Sequence, residues 1–162
     1  QFDKLVSIEM IEAVGYNYIQ KFFQVCSSLL KPDGLMAFQG ITYHEHGFED
    51  HLKRVDFIKK YIFPGSNLIS VNHVLSTIKE FTDLSMVHLE DITKHYAETL
   101  RLWRKKYMRV LPSIKGMGFS DEFLRIWEYY FIYCEAGFRE RYIGDVQIVM
   151  AKPEKKDIQI NY

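Results

Sequence analysis

Three groups of side chains in this 162-residue sequence could do chemistry. Glu12 follows a short apolar run and opens an amphipathic pattern, where the helix dipole favours a carboxylate; from spacing alone it reads as a helix-capping acid. His44, Glu45, His46 and His51 could be drawn as a metal site. Two-residue spacing on a loop is a poor tetrahedral arrangement, so a solvated loop is the stronger reading. Arg101, Arg104, Lys105, Lys106 and Arg109 form a basic cluster on a helical pattern whose other side carries Leu100, Trp103, Tyr107 and Leu111. Such a helix suits an anionic membrane surface or a solvated face over a core stripe, and the sequence supports the two equally.

The elements that must position these groups follow from periodicity. Residues 4–10 are apolar and β-branched, as a buried strand requires. Over residues 13–30, Val14, Tyr18, Phe22, Val25 and Leu29 recur at three- and four-residue spacing, which predicts an amphipathic helix. Lys31-Pro32-Asp33-Gly34 is expected to stop it with a tight turn, and residues 35–42 read as a second buried strand. Strand, helix, turn and strand make one crossover unit of a parallel sheet. Short helices are expected at 49–61 and 71–81, a third strand at 86–93, long helices at 97–111 and 121–142, and a last strand at 145–151. The tail from Lys152 reads as frayed.

Composition bounds the function. Twelve Phe, eleven Tyr and two Trp accompany a hydrophobic share of 48%, enough for a core that removes about 70% of the unfolded surface from water. Equal numbers of basic and acidic side chains, 21 of each, give no overall attraction to nucleic acid. Cys26 and Cys134 are too few for a disulfide framework or a four-thiolate zinc site, which fits a reducing compartment. Every apolar stretch is interrupted by charge well short of the ~20 residues of a spanning helix.

Five collinear segments resemble the cyclopropane fatty acid synthase family, which includes the mycolic acid cyclopropane synthases. They are Ser7-Ile8-Glu9-Met10-Ile11-Glu12-Ala13-Val14-Gly15, Leu30-Lys31-Pro32-Asp33-Gly34, the stretch from Phe57 to Gly65 ending Tyr61-Ile62-Phe63-Pro64-Gly65, the stretch from His95 to Trp103, and the stretch from Tyr129 to Arg139 containing Tyr133-Cys134-Glu135-Ala136-Gly137-Phe138-Arg139. The resemblance implies an α/β, Rossmann-like class I methyltransferase fold: a mostly parallel sheet with helices on both faces, a helical insertion and an antiparallel last strand, binding its ligand at the carboxyl ends of the strands. It implies S-adenosylmethionine and bicarbonate as cofactors, phospholipid acyl chains at the membrane surface as partner, and a cytoplasmic enzyme peripheral to the inner face of the membrane. The family transfers a methyl group to a cis double bond, and bicarbonate assists the deprotonation that closes the ring.

Carried over by position, Glu12 matches the glutamate that orients bicarbonate. Tyr96 matches the tyrosine near that anion, Ile41 the position whose backbone meets it, and Ser7 with Ile8 the strand end that lines the cofactor. Gln39 stands where a histidine contacts bicarbonate in well-known members; an amide still donates a hydrogen bond but does not titrate. Methylation without ring closure, or small-molecule N-methylation, therefore stays open as an alternative. Aromatic faces can stabilise a cation at a dry site by about 2 kcal/mol, although Phe22, Phe23, Trp127 and Tyr130 read mainly as core. The Gly-rich loop and the acidic residue with which class I methyltransferases hold the cofactor are not seen, and by collinearity the resemblance implies that the first strand here corresponds to the fourth of the complete fold. Residues 1–152 read as the C-terminal part of the catalytic domain and 153–162 as a tail. Such a piece is expected to be inactive alone and to self-associate through an exposed sheet edge.

Overall fold

The computed structural model describes residues 1–158. The first strand, β1 (Phe2–Ile8), is followed by a single helical turn, α1 (Ile11–Val14), and by α2 (Ile19–Leu29). The continuous helix expected over 13–30 is thus broken. Gly15 takes a positive φ of 82°, which ends α1 and sends the chain through a 3-10 turn at Tyr16–Tyr18 before α2 begins.

The second strand, β2 (Leu30–Tyr43), starts earlier than expected and absorbs the Lys31-Pro32-Asp33-Gly34 segment. That segment still bends the chain, but as an irregularity: Phe2 pairs with Leu30 and Lys4 with Leu35, so the Pro-Asp-Gly residues bulge out of the parallel ladder. The expected frayed tail is also corrected at its beginning. The Lys152 N–H donates to the Gly34 carbonyl (3.0 Å) and the Glu154 N–H to that of Pro32 (3.0 Å), so the tail is tied to the bulge. Residues 159–162 lie outside the described residues.

After β2 the expected helix at 49–61 divides into α3 (Phe48–Lys53) and a π-helical turn at Ile58–Ile62. Helix α4 (Val71–Phe81) has the predicted bounds, with the Ser70 side chain accepting from the His73 N–H at its start. Strand β3 (Ser85–Asp91) leads into the long α5 (Thr93–Gly116) and α6 (Asp121–Arg139), and β4 (Ile143–Ala151) returns to the sheet.

Among the described residues four strands form one sheet in the order β1-β2-β4-β3. β1 and β2 are parallel, and β4 is antiparallel to both of its neighbours, β2 and β3. The carboxyl ends of β1, β2 and β3 and the amino end of β4 therefore meet at one edge. One sheet face is covered: Met36, Phe38, Ile148 and Met150 bury against Ile19, Phe23 and Cys26 of α2 and Val74 and Ile78 of α4. On the other face, α5 and α6 cover only the polar edge, where Ala97, Leu100, Cys134 and Phe138 pack with Ile41, Tyr96, Tyr130 and Ile143. The apolar residues of β1 on that face stay open, Val6 being 64% and Ile8 62% exposed. No helix among the described residues is long and apolar enough to cross a membrane.

Candidate active site

The site is assembled at the shared edge. Gly40 sets the first contact: a Cβ there would meet Ile11 at 2.9 Å and the Phe38 ring at 2.7 Å, so its absence lets α1 lie against β2. Glu12, one residue on, then reaches across, and its Oε1 accepts from the Ile41 N–H at 2.6 Å. Its other oxygen, Oε2, is buried and has no partner. Burial pushes the Glu12 carboxyl above its ordinary range, more than the bond from Ile41 lowers it.

The end of β1 turns sharply. Glu9 has a φ of +49°, a left-handed conformation that costs a residue with a side chain about 1–2 kcal/mol. That turn aims its carboxylate at the edge, while its N–H donates to the Gln39 carbonyl (3.0 Å). Glu9 Oε1 accepts from Gln39 Nε2 (2.9 Å) and Oε2 from the Tyr96 hydroxyl (2.6 Å). The same Gln39 nitrogen donates to Asp145 Oδ2 (3.1 Å), and Gln147 Nε2 donates to Gln39 Oε1 (2.8 Å). Burial and the bond to Glu9 both push the Tyr96 phenol up, so it stays a donor. Asp145 is fully buried, and its carboxyl is pushed up first by burial and then by Glu9.

Glu12, Gln39, the Ile41 backbone and Tyr96, all proposed from sequence, are thus brought to one edge. Ser7 and Ile8 are not equivalent there. Successive strand residues face opposite ways: Ser7 is buried opposite Phe38 with an unpartnered hydroxyl, and Ile8 is exposed opposite Gln39. Two residues escaped the sequence reading, Glu9 and Asp145. Glu9 lay three residues before Glu12 in an apolar run, and Asp145 was the one acid in the last strand.

The histidine loop is corrected in one respect. His51 is buried rather than solvated, stacks on Tyr43 (4.3 Å between ring centres) and accepts from the Leu68 N–H (3.4 Å); burial lowers its pKa to about 4. His44 stacks on the same tyrosine (4.6 Å). Both cysteines are free and buried, on α2 and α6. Of the four aromatics assigned to core, Phe23 is fully buried and Phe22 packs beside it. Tyr130 instead joins the cluster next to the site, with Trp127 against it (5.3 Å).

The residues present suit one wall of an S-adenosylmethionine site. Glu12 Oε2 and Asp145 Oδ1 are buried near the strand ends with no partner among the described residues, and Ile8 offers an open apolar surface at the same edge. When bound, the cofactor supplies an electrophilic methyl group. The chain's own groups contribute carboxylates, a phenol and an apolar cluster packed against Tyr96.

The chain is similar to the tuberculostearic acid methyltransferase of Mycobacterium tuberculosis, with 41% identity across 91% of this chain and 34% of that protein. It is 29% identical to the cyclopropane-fatty-acyl-phospholipid synthase of Escherichia coli across 99% of this chain and 40% of that one. A mycolic acid cyclopropane synthase solved with SAH and CTAB superposes with a TM-score of 0.78 at 28% identity, covering 93% of this chain and 55% of the solved one. The chain therefore spans well under two thirds of the length of each. The profile of the family described as mycolic acid cyclopropane synthetase matches residues 1–148, and the chain belongs to that family of S-adenosylmethionine-dependent methyltransferases.

Proposed function

We propose that the protein takes part in transfer of the methyl group of S-adenosylmethionine to a cis double bond of a phospholipid acyl chain. The observation that carries this reading is the junction at Tyr96: polar groups that can receive a proton lie on one side of it and an apolar, aromatic cluster on the other. The cluster of Ala97, Leu100, Tyr130, Cys134 and Phe138 can house an alkyl chain and keep water from a carbocation. The Tyr96 and Phe138 rings lie 4.7 Å apart, tilted by 33°, so aromatic rings line that wall. The names of the relatives, a fatty acid methyltransferase and two cyclopropane synthases, support a lipid acceptor.

Methyl addition leaves a cation that must lose a proton. In the bicarbonate reading, Glu12 Oε2 holds the anion's hydroxyl and the anion removes the proton to close a cyclopropane. A second reading is favoured by the bonds of Tyr96 and Gln39: both donors that bicarbonate needs are engaged by Glu9. The Glu9 carboxylate then takes the proton itself, and the product is either the ring or an unsaturated methyl branch. Methyl transfer to phospholipid vesicles by the enzyme that carries these residues within the complete catalytic domain, measured in carbonate-free buffer and after bicarbonate addition, tests both. Stimulation by bicarbonate supports the anion; full activity without it supports Glu9; absence of any methylated lipid overturns the acyl-chain acceptor.

Membrane contact fits the arm formed by α5 and α6. Beyond Leu100 its described residues bury only Leu124 before Cys134; Met117 at the tip is 73% exposed, and Phe119 and Phe123 stack beside it at 4.7 Å. Lys105, Lys106 and Arg109 lie exposed on the same arm. Such an arm can rest on an anionic cytoplasmic leaflet. The open edge strand β1, with Phe2, Val6 and Ile8 exposed, supports self-association.

A further inference from the structure

We propose that Glu9 and Asp145 form an acid–carboxylate pair holding one proton, in which neutral Asp145 is the positioning residue for the Glu9 carboxylate. The inference rests on the Glu9 reading above and states how that carboxylate is held.

Three observations carry it. Asp145 is 0% exposed, and the charged and titratable groups facing it are Glu9 at the end of β1, Glu12 on α1, and Tyr96 on α5, none of them a cation. Tyr130 on α6 stands behind Glu9, and Asp91 on β3 is engaged by Arg141. A buried carboxylate with no cation is costly, and beside a second carboxylate the cost is relieved when one of the two keeps its proton. Asp145 Oδ1 receives no hydrogen bond from the described residues, so no donor there stabilises the ionised form. The Gln39 amide nitrogen donates to both carboxyl groups, which places them within one amide of each other. Gln147 fixes which way that amide points, since its own N–H group is bonded to the Gln39 oxygen.

The division of labour follows from the backbone. Asp145 is immobile: its N–H donates to Thr93 Oγ1 (3.1 Å) and its carbonyl accepts from the Ile92 N–H (2.9 Å). Glu9 is the less buried partner and also contacts Tyr96, at the boundary of the apolar cluster. When the acyl cation loses its proton, the C–H bond breaks and its electron pair forms the new C–C or C=C bond. The proton goes to Glu9, which becomes neutral, and the pair returns to a single proton when one leaves to water.

The test is nuclear magnetic resonance of the 162-residue chain labelled with carbon-13 at aspartate carboxyls, with Asp145 assigned through its backbone amide. The expected result is an Asp145 carboxyl in the neutral-acid position at pH 7, absent in Asp145→Asn. In Glu9→Gln its titration midpoint falls by about one pH unit or more, because burial is unchanged and only the neighbouring charge is gone. A merely structural acid would titrate alike in both backgrounds. An ionised Asp145 at pH 7, or a midpoint indifferent to Glu9→Gln, overturns the pair; the amide spectrum shows that each variant is folded, and the Glu9→Gln titration decides even where Asp145→Asn does not fold. These readouts need no turnover, so failure of the Glu9 reading shows separately, as bicarbonate dependence of methyl transfer.

Discussion

The two sides of Phe38 and Gln39 on β2 belong to different kinds of interior. Phe38 enters the cluster under α2 and α4, where Phe23 meets it edge to face at 5.9 Å and apolar packing dominates. Gln39, the next residue, faces an interior whose Glu9, Asp145 and Glu12 carboxyls are held together by amide, phenol and backbone donors. The first region follows the ordinary rule that interiors are apolar and close-packed. The second breaks it with carboxyl groups and no cation, at the place where a methyl-transfer site would need a proton acceptor. On the proposed function, stability resides in the first and chemistry in the second, a separation that mutation can expose.

The largest effect expected is on the apolar side. Phe23→Ala opens a cavity in the packed cluster and should lower stability by about 3–5 kcal/mol, read by urea unfolding. The hydrogen bonds of Gln39 should survive in the folded fraction, and their loss there would mean that the two interiors are one. Next comes Glu12→Gln, which removes the carboxylate beside Ile41. Methyl transfer should fall about 10²-fold, about 2.7 kcal/mol in barrier, with the unfolding midpoint little changed.

Asp145 gives an effect with a defined pH dependence. Burial and the neighbouring Glu9 carboxylate raise its folded pKa above the ordinary carboxylate range, so the stability it contributes is present below that range and is lost as the pH rises through the raised value. Denaturation of the protein at stepped pH should therefore show stability falling across this window by up to about 1.4 kcal/mol per pH unit, and Asp145→Asn should flatten that slope. A parallel decline in both would place the titration elsewhere. The smallest effect concerns the arm: charge reversal at Lys105 alone should weaken sedimentation with phosphatidylglycerol vesicles by about 1 kcal/mol, in low salt and not in high. Equal binding by the reversed protein would make this a solvated face.

Local pattern made helix α4 legible, since Ser70 caps it and its apolar positions keep strict helical spacing. It failed at Pro32, where the expected tight turn is instead a bulge inside a strand, because register against β1 is not visible from β2 alone. In the site, Glu12, Gln39, Ile41 and Tyr96 were found through resemblance to a family and not through periodicity. Glu9 and Asp145 were hidden for a physical reason. Their significance lies in Gln39 bonding residues 30 and 106 positions away, and in a left-handed turn that no residue type announces at Glu9.

The placement of β4 between β2 and β3 has a bearing on biosynthesis. β2 and β3 do not pair with each other, so on a ribosome the sheet stays divided until residues 143–151 have left the exit tunnel. Pairing across such sequence distances is slow, because the loop entropy is lost before the contacts form. Asp145 arrives with the closing strand. The nascent chain therefore cannot assemble its carboxyl pair before its sheet is complete, and a synthesis product interrupted earlier carries Glu9 without the residue that holds it.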